Sequence, residues 1–100
     1  MCFTSFRGLG LANNNKGDFL EALRYYRNAL AIYLSFGDRR GIADINNLIG
    51  YLYTVKKNPN IGLMYLSKAE QINRGLGNSL ALTRVLSNIG NAYYHQEKLD

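Results

Sequence analysis

Residues Gly17 to Gly37 read GDFLEALRYYRNALAIYLSFG, and this stretch decides the fold, because moved forty places along the chain it lands on Lys57 to Gly77 without a gap. Leu23 falls on Leu63, Tyr25 on Tyr65, Ala29 on Ala69, Ile32 on Ile72 and Gly37 on Gly77. The same offset places Ile49 on Ile89, Gly50 on Gly90 and Tyr53 on Tyr93. A fixed period of this size marks stacked units, each of which buries its apolar face against the next.

Within the stretch, Phe19, Ala22, Leu23, Tyr26, Ala29, Leu30 and Tyr33 recur at the spacing of one α-helical face. Asp18 with Glu21 three places on forms a helix-start signature, and Gly37 suits the left-handed residue that ends a helix. Outward from there, Met1 to Asn15 carries Phe3, Phe6, Leu9 and Asn13 at helical spacing and reads as a first helix. Asp38 caps a third helix carried by Ile42, Ile45, Ile49, Leu52 and Tyr53. Asn58-Pro59 stops it and starts a fourth on Leu63, Leu66, Ala69 and Ile72, which Gly75-Leu76-Gly77 ends. Asn78 caps a fifth, on Leu82, Val85, Leu86, Ile89, Ala92 and Tyr93. The turns are so short that neighbouring helices must pack antiparallel. The expected organisation is helix pairs over about 3–36 and 39–76, followed by the first helix of a third unit over about 79–97.

The chain has 100 residues, 47% of them apolar, enough for a core shared between layers. Twelve asparagines give it an amide-rich surface. Cys2 is alone, so an intrachain disulfide is excluded. MCFTSFRGLGLA lacks the basic start and long apolar run of a signal peptide, and the uncharged stretch Ile45 to Val55 is too short to span a bilayer. The expectation is a cytoplasmic chain. The net charge of +5 is scattered singly or in pairs, as at Arg39-Arg40 and Lys56-Lys57, and this disfavours a nucleic-acid track.

The pattern resembles the tetratricopeptide repeat. The first helix of that repeat carries an apolar residue, then Gly or Ala, then an aromatic three further on, matched by Ile49-Gly50-Tyr53 and Ile89-Gly90-Tyr93, and in part by Leu9-Gly10. The second helix carries small, large, small, matched by Ala22, Tyr26, Ala29 and by Gly62, Leu66, Ala69. Asn13 and Asn46 depart from the pattern, and the proline expected near the end of the second helix is missing. The forty-residue period exceeds the common thirty-four. This longer form is similar to the repeats of kinesin light chains, Pins-type polarity adaptors, bacterial quorum-sensing peptide receptors, and the sensor arms of some histidine kinases and cyclases. The resemblance implies an all-α, right-handed solenoid of five antiparallel helices that binds a protein or an extended peptide, as part of a larger signalling or regulatory protein.

In the family the first helices of successive pairs line a concave face. Carried over by position, that face holds Arg7 and Asn14, then Asp44, Asn47, Tyr51 and Thr54, then Arg84, Asn88, Asn91, Tyr94 and His95. Arg84, Asn88, Asn91 and His95 also share one helical face by spacing alone. Asparagine suits such a surface because its amide both donates and accepts, and so can hold an extended backbone whatever its side chains. The same residues also fit the solvated side of an amphipathic helix. The carboxylate clamp of other tetratricopeptide proteins does not transfer, since Leu11, Leu48 and Asn88 replace its two asparagines and its arginine.

No cofactor is implied. His95 is the one histidine, which argues against zinc, and Gly8-x-Gly10 lacks the context of a phosphate loop. A non-catalytic scaffold is expected. The chain opens inside a helix and stops where a partner helix is due, so it reads as part of a longer array, with self-association through the exposed Val85, Ile89 and Tyr93 side of the fifth helix as a further expectation. An architectural arm without a groove ligand is the alternative.

Overall fold

The computed structural model describes residues 19–99. Among these residues there are four α-helices and no strand: α1 (Phe19–Phe36), α2 (Arg39–Val55), α3 (Pro59–Leu76) and α4 (Ser79–Leu99). They correspond to the second to fifth helices expected from the sequence. The expected first helix and the Asp18 cap lie outside the described residues. Each helix packs on the next, and α2 also touches α4.

Three turns of one design join the helices. After α1 the Gly37 N–H donates to Leu34 O and the Asp38 N–H to Tyr33 O; after α2, Lys57 bonds Thr54 O and Asn58 bonds Tyr53 O; after α3, Gly77 bonds Arg74 O and Asn78 bonds Asn73 O. This paired closure satisfies carbonyls that the helix end would leave open, and it requires a left-handed residue at its centre. Gly37 and Gly77 supply it at φ 67° and 69°, whereas Lys57 is forced to φ 65° with a side chain attached. The residue that completes each turn also precedes the next helix. Asp38 accepts from the Gly41 N–H at 3.0 Å and Asn78 from the Ala81 N–H at 3.2 Å. Asn58, at the equivalent place, makes no side-chain cap bond, and α3 starts with Pro59 at its first position.

The core follows the apolar stripes. Ala22, Leu23, Tyr26 and Ala29 of α1 pack with Ile45, Ile49 and Leu52 of α2. Tyr53 sits between neighbours, edge-on to Phe19 with centroids 5.3 Å apart and stacked on Tyr65 at 5.7 Å, which ties α1, α2 and α3 through one aromatic series. Two helices meet closest at Gly50 and Gly62. A Cβ on Gly50 would come within 2.6 Å of Leu66 Cγ and 2.9 Å of the Gly62 carbonyl, and one on Gly62 within 2.7 Å of the Gly50 carbonyl. Asn46, at an apolar-preferred place, is buried and donates to the Ile42 carbonyl at 2.9 Å, so its amide nitrogen is satisfied on its own helix.

The expected exposed side of the last helix needs one correction. Val85 of α4 is buried, Ile89 is half-buried, and Tyr93 alone of the three stands open at 55% exposure. Val85 is covered because the helix leans on its predecessors, which the stripe by itself does not specify.

Two stability measurements check this packing. Gly50→Ala should destabilise the chain by about 1–3 kcal/mol through overpacking, while Gly90→Ala, at the repeat-equivalent position where an added Cβ meets nothing within 4 Å, should stabilise it by up to about 1 kcal/mol through helix propensity. Equal effects in thermal unfolding would refute the assigned contact. Lys57→Gly should raise stability by about 1 kcal/mol by relieving the left-handed strain, read as a higher denaturation midpoint at constant slope.

Candidate functional site

Asp44, Asn47 and Leu48 of α2, Asn73 of α3, and Ala81, Arg84 and Val85 of α4 surround one cavity of about 290 Å³. Its depth can be read from exposure. Asn73 and Val85 are buried, Asp44, Asn47, Leu48 and Ala81 are half-buried, and Arg84 is exposed. The cavity therefore runs from an arginine at its rim to an amide and an isopropyl group at its base.

Three helices build it for a local reason each. Asp44 and Asn47 stand one turn apart on α2, next to the stripe of Ile45 and Ile49 that anchors the helix. Arg84 stands one residue before buried Val85, which fixes the rotation of α4. Asn73 belongs to the buried register Gly62, Leu66, Ala69, Asn73 of α3 and so is carried inward by the same packing as its apolar neighbours.

Hydrogen bonding divides these side chains. The Asn88 amide of α4 donates to Asn47 Oδ1 of α2 at 2.8 Å, a bond between helices at nearly the repeat offset. Asn47 accepts there and keeps its own N–H₂ available. Arg84 makes no hydrogen bond or ion pair among the described residues, where Arg24 and Arg74 are paired with Glu21 and Glu70 on their own helices. Asn73 Oδ1 is buried with no partner. An unsatisfied buried acceptor costs roughly 1–3 kcal/mol.

Of the eleven residues assigned to the lining by sequence, Asp44, Asn47 and Arg84 meet at this cavity and Asn88 is bonded to Asn47. Arg7 and Asn14 lie outside the described residues. Tyr51, Asn91, Tyr94 and His95 do not line it. Tyr51 is exposed, Asn91 and His95 are half-buried, and Tyr94 lies edge-on to His95 with the Lys98 ammonium 5.5 Å from its ring. Thr54, carried over to the lining, is instead buried and donates to the Gly50 carbonyl at 2.9 Å, filling the close approach to Gly62. Asn73 was missed. Its signal was an asparagine standing in an otherwise small and apolar register.

A second hollow, of about 380 Å³, lies among α1, α2 and α3 and is lined by Leu30, Leu34, Ile42, Tyr65 and Ile72 among others. It is apolar apart from Asn46, Lys68 and Gln71, and it presents no comparable set of open hydrogen-bonding groups. Among the described residues no group of three or more His, Cys, Asp or Glu side chains is placed to hold a metal ion, and no helix is long and apolar enough to cross a membrane. Compared with models of known protein families and with curated proteins, the chain matches none.

The Asn47–Asn88 bond should show as a coupling. In a double-mutant cycle of Asn47→Ala and Asn88→Ala, the two changes should fall short of additivity by about 0.5–1.5 kcal/mol in denaturant unfolding, and strict additivity would mean that the bond contributes nothing.

Proposed function

We propose that the chain is a non-catalytic binding scaffold of tetratricopeptide type, a right-handed helical solenoid whose α2 and α4 present a groove to an extended peptide of a protein partner. One observation carries the reading. Residues assigned to a common face on two helices forty residues apart converge around one polar cavity, joined by the Asn47–Asn88 bond. Rigid helices hold these groups before any ligand arrives, so little ordering of the protein opposes binding.

The groove has a natural length. From Arg84 to His95 α4 advances about 16 Å at 1.5 Å per residue, room for roughly five residues of extended peptide. Arg84 and the amide of Asn91 supply hydrogen bonds along it, and Tyr51 and Tyr94 supply apolar area beside it. No cofactor takes part, and the module serves a larger cytoplasmic signalling or regulatory protein. Exposed Leu86 and Tyr93 of α4 favour, as the second reading, an oligomerisation arm with an empty groove.

Selection from a displayed library of random peptides separates these. Peptides recovered on the immobilised chain should lose roughly tenfold or more in affinity to the Arg84→Ala, Asn91→Ala double variant, with its melting temperature unchanged and with modest dependence on salt. Both side chains are chosen because neither bridges helices. Binding that survives the double variant, or a library that yields nothing while the chain dimerises in light scattering, would remove the groove reading. Affinity that collapses steeply with salt would favour a polyanion instead.

A further inference from the structure

α2 and α4 repeat one another at an offset of forty residues, yet the face that α3 covers on α2 stands open on α4. On α2, Gly50 meets Leu66 and Gly62 of α3, Thr54 lies against Gly62, and Tyr53 stacks on Tyr65 at 5.7 Å. The same positions on α4 are Gly90, Tyr94 and Tyr93, and with Leu86, the counterpart of buried Asn46, all four are exposed. A Cβ on Gly90 would meet nothing within 4 Å. Contact with water favours polar side chains, but the changes run the other way. The enclosed Asn46 and Thr54 of α2 become Leu86 and Tyr94 where the face is open, at 42% and 55% exposure. Leu86, Gly90, Tyr93 and Tyr94 share one side of α4, a helix-contact face with no helix on it among the described residues.

We propose that this face pairs with the same face of a second copy of the chain, α4 against α4, antiparallel about a two-fold axis at Gly90. The pairing does not rest on the groove reading, since Asn88, Asn91 and His95 turn to another side of α4 and Tyr94 stands at the border of the two. The face is complementary to itself. Leu86 lies four residues before Gly90, and Tyr93 and Tyr94 lie three and four after it, so in an antiparallel pair Leu86 of each copy packs on the two rings of the other. Facing glycines let the backbones close, as Gly50 and Gly62 do for α2 and α3. The incoming leucine fills the hollow of about 430 Å³ bordered by Gly90, Tyr93, Tyr94, Gln96 and Glu97. Charge sets the direction. Glu97 is exposed on the same face, seven residues after Gly90, and makes no ion pair among the described residues. A parallel pair would bring the two Glu97 carboxylates together, whereas the antiparallel pair sets each level with Thr83 and the exposed Arg84 of the other copy. Lys98, next along, sits over its own Tyr94 ring at 5.5 Å. A two-fold contact uses the face on both sides and closes. From Thr83 to Glu97 it spans about 21 Å of helix, a small interface, so the Kd is on the order of 10–100 μM.

Sedimentation equilibrium of the full chain over about 1–500 μM should show monomer and dimer and no larger species. Gly90→Gln, whose side chain has open space in the single chain, and Leu86→Gln should each raise the Kd at least roughly tenfold, with the melting temperature of the dilute chain not lowered. A monomer throughout that range, a Kd that ignores Gly90→Gln, or open-ended growth overturns the pairing. Disulfide trapping reads the direction. In a Cys2→Ser background, equal amounts of the Leu86→Cys and Tyr93→Cys chains are oxidised together at the upper concentration. Mass spectrometry should find the mixed disulfide several-fold in excess of either symmetric one, because residues 86 and 93 of different copies face each other in the antiparallel pair. Symmetric disulfides in equal or greater yield overturn it. None of these measurements involves a peptide, so their failure leaves the groove reading where it stood.

Discussion

The close approach of Gly50 and Gly62 is the constraint on which the remaining structure depends. With no Cβ on either residue, the α2 and α3 backbones come near enough that the Gly62 carbonyl and Leu66 would collide with any side chain at position 50. The Thr54 hydroxyl turns back and donates to the Gly50 carbonyl on its own helix. That approach sets where α3 lies relative to α2, and through α3 where α4 lies. The cavity is formed by side chains from all three helices, so its dimensions are inherited from this one contact.

The buried polar groups differ in how their hydrogen bonds are met. Asn46 and Thr54 are enclosed, and each gives its donor to a carbonyl four residues back, a self-contained arrangement that makes no demand on a ligand. Asn73 is enclosed as deeply, at 1% exposure, and its oxygen has no such outlet. Asn46 also borders a hollow, so the difference lies in the bond each makes: Asn46 and Thr54 donate to a carbonyl of their own helix, whereas the Asn73 oxygen meets no donor. An open hydrogen bond in a packed interior is a standing cost, and it falls at the place where the lining residues of α2 and α4 meet.

Much of this was legible beforehand. The stripe from Phe19 to Tyr33, the glycines at 37 and 77 and the caps at Asp38 and Asn78 are local signals, each complete within a few residues, and α1 and α3 end, and α2 and α4 begin, where those glycines and caps stand. Where the reading failed, the answer lay between helices. Asn58 resembles Asn78 in sequence, yet it follows Lys57 in a strained left-handed turn and makes no side-chain cap. Thr54 occupies a lining position by register, yet the missing Cβ of Gly62 draws it into the helix contact. Val85 belongs to an apolar stripe whose covering depends on the tilt of α4 over its neighbours.

The amino-acid sequence by itself determined that the described residues are helical, where the three turns between their helices fall, and which side chains share each helical face, because periodicity, capping and turn chemistry act over no more than a few residues. Tertiary structure decided which of the shared faces meet. It joined Asn47 to Asn88, placed Arg84 and Asp44 on one cavity, left Tyr51 and His95 off it, and brought Asn73 to the base. Those outcomes depend on interaxial distance and helix rotation, which are set by side-chain volumes summed over whole interfaces and by the absence of two of them at Gly50 and Gly62.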